Sequence, residues 1–395
     1  MLDAISSMTG RSVISALGFR PASLLERMFV PSRGGDGNAQ RLQHSVVGDE
    51  TEFAALEADW NDLFARAEVQ MPFLRYSWSR LCWERQRTIR GTRLFVVVVR
   101  DGQRPVLIAP LVARRSGLWR QDLSFLDSAT PQYNDLLVAS DDAPRYVSYL
   151  WQMLNNRPRA RRFAASWVRD DSPLAPYLRA AAYEERSHEA PFIDLTKFET
   201  WEHYMQFLPM NLRRDHRKQV RRLERSGVAF AASDQQSFAK SIAWLFAQKR
   251  DWLERENMKG ERPERKIKIR KWLREPETEA LFAAVAKEGM ESGRVWVTTL
   301  GAADGSTIAS CVCFREGSTL YGSKIAYDPA WHSYSPERTL MLLNIERAFR
   351  EGLQKVDLMI GGQSHKTRLA TGVTMVWTRR IDLGSNAIAP PQLDL

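Results

Sequence analysis

The chain has 395 residues, 44% hydrophobic and 26% charged, which is the composition of a folded protein with room for two or three domains. No uninterrupted apolar run approaches the ~18–20 residues of a bilayer span. The three cysteines (Cys82, Cys311, Cys313) make neither a disulfide framework nor a zinc site, and the six histidines lack metal spacing, so no metal is expected. Such thiols point to a reducing, cytoplasmic compartment. The net charge is +10, and two stretches account for it. Residues 211–225 hold seven Lys/Arg against two Asp/Glu, and residues 249–274 hold eleven against five. The remainder is nearly neutral, so the positive charge is regional and suits phosphate groups on a carrier, an RNA or an acidic polymer.

In chain order, residues 1–44 read as a flexible leader closed by the Gly34–Gly37 linker, without the continuous apolar region of a secretory signal. A helix is expected over 51–66, from the spacing of Phe53, Leu56, Trp60 and Leu63, and an aromatic-rich helix over 76–86. The runs 93–99 and 105–112 around Asp101-Gly102 spell a hairpin. Short strands follow near 122–126 and 134–138, then a helix over 144–154 and a strand over 162–168. A helical region comes next, with helices at 201–208, 211–225 and 237–256; Leu212, His216, Val220 and Leu223 form the inner stripe of the second. A helix over 277–290 precedes another hairpin, 294–300 with 307–314 around Asp304-Gly305. Each hairpin follows a helix, so the two halves read as copies of one fold. The boundary falls between 195 and 196, and residues 385–395 read as a loose tail.

The most informative stretch is Trp331-His-Ser-Tyr-Ser-Pro-Glu-Arg-Thr339. It closes a strand pattern (319–327) and opens an amphipathic helix to about Glu351. Ser335 reads as its N-cap, Pro336 as its first residue and Gly352 as its C-terminal cap. A strand over 355–360 follows. Strand, loop, helix start and strand together aim free N–H groups and a positive dipole end at an anion. With His332 and Arg338 in the turn, a phosphate-bearing carrier fits; an ordinary well-capped helix is the alternative.

These features resemble the tandem GCN5-related N-acetyltransferase (GNAT) fold, and more closely the CelD-like acyltransferase group named after a cellulose-biosynthesis protein. That group is related to the Fem-type aminoacyl transferases, which build peptidoglycan cross-bridges. The residues carrying the resemblance are Trp60-Asn-Asp-Leu63, Pro72-Phe73 and Trp78 in the first half. In the second they are Asn211-Leu-Arg-Arg214, Tyr327-Asp328, Tyr334-Ser-Pro336, Asp357-Leu358, Gly361 and Lys366. The likeness spans about 45–383. It implies an α/β (mixed α+β) protein of two tandem GNAT-like domains, each a twisted mixed sheet flanked by helices. Residues 45–195 would be a degenerate copy and 196–384 the acyltransferase domain. Glu337 stands where the family has glycine, which would repel a pyrophosphate unless the carboxylate swings away or pairs with Arg338. Gln363-Ser-His365 is a second departure.

The resemblance implies transfer of an acyl group from acetyl-CoA or another acyl-CoA to an amine or hydroxyl acceptor. That chemistry needs a base, an oxyanion donor and a grip on phosphates. Asp328 could orient or deprotonate the acceptor, or serve the Asp328-Pro329 turn. Asp357, alternating with apolar residues, is catalytic or a partnered structural aspartate. Lys366, after Gly361-Gly362, and Lys324, within a strand, are candidate phosphate or oxyanion contacts. Tyr334, Ser335, Pro336, Arg338, Thr339 and His332 would meet the carrier. The basic helix grips the carrier or RNA, or is a solvated face. An aminoacyl-tRNA donor, or a non-catalytic scaffold in envelope or polysaccharide assembly, are the competing readings.

Overall fold

The runs of β-branched and aromatic residues form strands, and fifteen are present among the described residues, which in the computed structural model are 42–384 apart from 118–119, 129, 131, 259–272, 274 and 362–363. Most of the leader and the whole tail lie outside them. The strands are β1 (Leu42–Val47), β2 (Thr92–Leu94), β3 (Val96–Asp101), β4 (Arg104–Ala109), β5 (Leu111–Arg115), β6 (Gln121–Phe125), β7 (Leu137–Val138), β8 (Ala160–Arg169) and β9 (Ala182–Asp194). The second half adds β10 (Ala229–Ala232), β11 (Val295–Gly301), β12 (Thr307–Glu316), β13 (Thr319–Tyr327), β14 (Lys355–Asp357) and β15 (Gly372–Asp382). The helices are α1 (Glu50–Ala55), α2 (Glu57–Ala65), α3 (Tyr76–Gln86), α4 (Ala143–Asn155), α5 (Ala175–Ala181) and α6 (Trp201–Phe207). They continue with α7 (Met210–Arg225), α8 (Phe238–Met258), α9 (Pro276–Met290), α10 (Pro336–Arg350) and the single turn α11 (Ser364–Thr367).

The result is a mixed α/β fold with a four-stranded sheet, β1-β3-β4-β7, and an eleven-stranded one, β10-β11-β12-β13-β14-β9-β15-β8-β6-β5-β2. The expected hairpin over 93–112 is bent at Phe95 and Pro110, so its tip (β3, β4) lies in the small sheet and its base (β2, β5) in the large one. Proline has no N–H for a ladder, and the bend falls where that loss is harmless. A strand–helix–parallel strand unit occurs twice: β6-α4-β8, and β13-α10-β14. α4 opens on Ala143-Pro144, so the first half does carry a proline at a helix start.

The boundary expected at 195/196 falls at the end of β9, and the described residues from 42 to 384 form one compact unit. β15 returns from the second half to lie antiparallel between β8 and β9. Aromatic side chains fuse the halves: Phe73 meets Phe314 and Tyr321 edge-on at ring separations of 5.7 and 5.9 Å, and Trp78 meets Phe282 at 6.0 Å. This core covers the α8–α9 face of the second-half strands, while α6, α7 and α10 bury a separate core on the opposite face. On α7 the inner stripe is Leu212, His216, Gln219 and Leu223. Gly352 caps α10 with φ +69°, as expected. None of the described helices is long and apolar enough to cross a membrane.

Candidate active site

The two parallel crossovers differ at one point that creates a site. β6 and β8 stay paired from Gln121↔Ala160 to Ser124↔Ala164. β13 and β14 pair only at Thr319↔Lys355, Leu320↔Val356 and Tyr321↔Asp357, after which β13 continues to Tyr327 paired with β12 but not with β14. Just past the last pair, β13 carries a bulge: Gly322 faces Cys313 and Lys324 faces Val312, leaving Ser323 as the extra residue. A bulge bends its strand and leaves backbone groups outside the ladder. The strands therefore splay and open a cavity of about 260 Å³, lined by Ser323, Lys324, Glu337, Asn344, Leu358 and Lys366, among others. Cys311 and Cys313, which alternate on β12, also face it, with their Sγ atoms 3.5 Å apart.

Electrostatics sets the chemistry of this cavity. Lys249, Lys324 and Lys366 line it against the single carboxylate of Glu337. Burial, reinforced by the charges of Lys249 and Lys366, lowers the Lys324 ammonium from its ordinary 10.5 to about 7. Its Nζ donates to the Ser323 carbonyl at 3.2 Å, 5.4 Å from the centre of the Phe282 ring. Burial and Lys249 likewise lower Lys366 to about 8, with Asp357 and Glu337 opposing. Lys366 Nζ donates to the carbonyls of Leu358 and Ile360 at 2.8 and 3.3 Å, clamping the segment that follows β14. That segment is strained: Met359 is buried yet has φ +59°. Asn344 donates to Thr298 at 2.9 Å, but its Oδ1 is buried without a partner, leaving one acceptor for a ligand N–H.

A second concavity of about 340 Å³ adjoins the start of α10, lined by Asn211, Arg214, Asp215, Lys218, Arg338 and Arg368, with Leu212. Four cations thus face one carboxylate. Arg338 pairs with Asp215, and Arg368 donates to Asn211 Oδ1 at 3.1 Å. Two chain segments link groove and cavity: Glu337 lines the cavity and Arg338 the groove, while Lys366 lines the cavity and Arg368 the groove. The two spaces therefore lie side by side around the first turn of α10. Glu337 sits among the cavity lysines and Arg338 has its own carboxylate in Asp215.

The expected site residues divide by position. Lys324 and Lys366 line the cavity and Arg338 the groove. Asp357 is buried and accepts from Tyr133 Oη at 2.7 Å, Arg169 Nη1 at 3.1 Å and Met359 N at 2.8 Å, so it ties β14 to the first half. Asp328 accepts from Ala330 N at 2.9 Å and caps the short turn Pro329–Tyr334, lining neither space. His332 is exposed and meets Tyr327 Oη at 3.0 Å; Tyr334 stacks under Arg222 at 4.2 Å. Ser335 does not cap α10 with its side chain: it is left-handed at φ 48°, ψ 50°, and its carbonyl accepts from Thr339 N at 3.0 Å. A left-handed residue turns its side chain away from the helix N–H groups, which explains the failed cap. Pro336 and Thr339 are buried framework. Lys249, Asn344, Arg214, Lys218 and Arg368 were missed as individual site residues. The signal available was the i, i+4 spacing of Arg214 and Lys218, and the Lys366-x-Arg368 alternation.

Residues 210–367 match the family described as Acetyltransferase (GNAT) domain. FemX, a solved structure, superposes with a TM-score of 0.54 at 9% identity, covering 83% of this chain and 95% of its own. The C-terminal domain of a putative lysylphosphatidylglycerol synthetase from Agrobacterium fabrum gives 0.48 at 14% identity, covering 83% and 92%. A tandem GNAT protein from the clavulanic acid biosynthesis pathway gives 0.41 at 12% identity, covering 87% and 100%. No curated protein matches the chain. Residues 210–367 are thus similar to GNAT acetyltransferase domains, and the likeness to FemX is one of fold.

Proposed function

We propose that the protein is an acyltransferase that holds a phosphate-bearing acyl carrier along the first turn of α10. The groove of Arg214, Lys218, Arg338 and Arg368 grips the phosphates, and the reactive carbonyl lies in the adjoining cavity. The observation that carries this reading is the shared wall, with neighbours Glu337 and Arg338 serving different spaces. Acyl-CoA is the favoured donor, and it supplies an activated acyl carbon whose carrier departs with the bonding electron pair. Lys324, held near 7, is neutral often enough at physiological pH to take a proton from the attacking amine or hydroxyl. The same ammonium then returns that proton to the departing sulfur or oxygen. Backbone groups freed at the Ser323 bulge are suited to the carbonyl oxygen. Lys366 and Asp357 act as positioning residues for the cavity wall at 358–360. The acceptor follows the CelD-like resemblance: an amine or hydroxyl on a polysaccharide or envelope precursor.

Thermal stabilisation by acetyl-CoA is the test. It should occur in the wild type and weaken in Arg338→Ala; equal stabilisation in both removes the phosphate assignment. One observation favours an aminoacyl-tRNA donor as the second reading. Arg214, Lys218, Arg221 and Arg225 are exposed on α7 at i, i+4, i+7, i+11, extending the groove as a stripe about 16 Å long. Binding of tRNA that falls steeply with salt and is lost in Arg221→Ala/Arg225→Ala would select it.

A further inference from the structure

The far edge of the large sheet carries a second cationic site unrelated to the carrier groove. A concavity of about 470 Å³ is lined by Arg90, Arg93, Arg115, Arg120 and Arg159, with Gly91, Ala113 and Gln121 completing the wall. These arginines come from four separate segments that backbone hydrogen bonds hold together. Arg115 N donates to Gly91 O at 3.2 Å, Gln121 N to Arg159 O at 2.9 Å and Ser116 N to Arg120 O at 3.0 Å. Elsewhere in the first half arginines face acids, as in Arg66–Asp62, Arg85–Glu275, Arg100–Asp59 and Arg162–Asp122. Among the described residues no carboxylate pairs with Arg90, Arg93, Arg120 or Arg159, and none lines the concavity. Convergent like charges repel, and a bound anion is what relieves them.

We infer that this groove binds an anion dense in phosphate, offering at least two phosphoryl groups either on one molecule or side by side on a lipid surface. Guanidinium forks match phosphate oxygens two at a time, and the four of Arg90, Arg93, Arg120 and Arg159 exceed what one phosphate can use. Among the described residues the wall is built of guanidinium groups, so the ligand's phosphates are the recognised part. The site is distinct from the carrier groove, because β6, β5 and β2 lie four to six strands from β14, about 19–29 Å at ordinary strand spacing. Free diphosphates and phosphate headgroups of lipids share this chemistry.

The test titrates full-length protein with inorganic pyrophosphate by calorimetry, and pellets it with vesicles of phosphatidic acid in phosphatidylcholine or of phosphatidylcholine alone. The variants are Arg93→Gln/Arg120→Gln, at exposed positions, and Arg338→Ala as the control for the carrier groove. Arg159→Glu serves as a second variant should the first change the melting temperature. Pyrophosphate affinity should fall at least about tenfold in the Arg93/Arg120 variant and persist in Arg338→Ala. Binding confined to phosphatidic acid vesicles and lost in the same variant supports the site with a lipid headgroup as its source. Absence of binding to either probe, or binding that only Arg338→Ala abolishes, overturns it.

Discussion

Lys324→Met keeps the volume of the side chain and removes the proton on which the proposed chemistry depends. A lysine held at about 7 against its ordinary 10.5 has a folded state that resists its charge. At ~1.4 kcal/mol per tenfold in a proton equilibrium, that resistance amounts to about 4–5 kcal/mol once the unfolded chain is fully protonated. The sign is definite. Above pH 10.5 both forms are neutral and nothing is lost. Between 10.5 and 7 the unfolded chain takes the proton first, so wild-type stability declines, and below 7 the loss is complete. Lys324→Met should therefore match the wild type near pH 10.5 and exceed it by several kcal/mol at pH 7, read by urea denaturation at a series of pH values. Its acyl transfer should drop by about 10²–10⁴-fold, and the rise of wild-type activity through pH 7 should vanish. A stability difference independent of pH, or a variant weaker than wild type at pH 7, refutes the argument.

Asp215→Asn frees Arg338 from its carboxylate, so coenzyme A should bind more tightly in calorimetry; weaker binding would mean that Asp215 itself orients the ligand. Glu337→Gln removes a charge that supports the Lys366 ammonium, so Lys366 should titrate below about 8, measurable by NMR of labelled lysine. Asp357→Asn removes one of the two carboxylates paired with Arg169, Asp171 remaining, and weakens the acceptor of Tyr133 and Met359, so it should cost about 1–3 kcal/mol in denaturant unfolding; donor affinity per folded molecule should persist. Gly372→Ala places a methyl 2.5 Å from the Phe192 ring and should lower stability by about 1–3 kcal/mol; an unchanged melting temperature would show that the ring moves freely.

Helices with punctuated ends were legible in the sequence. The expected 76–86 helix is α3, and the Pro336 start and Gly352 cap of α10 are where the pattern put them. The paired strands β9 and β15 were not legible, because their complementarity is between chains of charge rather than within either strand. Arg379 meets Glu185 at 3.0 Å and Arg380 meets Glu184 at 2.8 Å, so neither strand shows apolar alternation by itself. The lysine-lined cavity was half legible: Lys324 stood out as a charge inside a strand, whereas Lys249 looked like one more base on a basic helix. The arginine groove was invisible, since four mildly basic segments converge only when β2, β5, β6 and β8 stack.

The placement of β15 has a consequence for how the molecule is made. This strand leaves the ribosome after every other described strand, yet both of its neighbours, β8 and β9, belong to the portion synthesised early. Until it emerges, β8 presents an unfilled edge that invites pairing with another nascent chain. Fragments ending before residue 372 should therefore aggregate rather than yield an independent amino-terminal module.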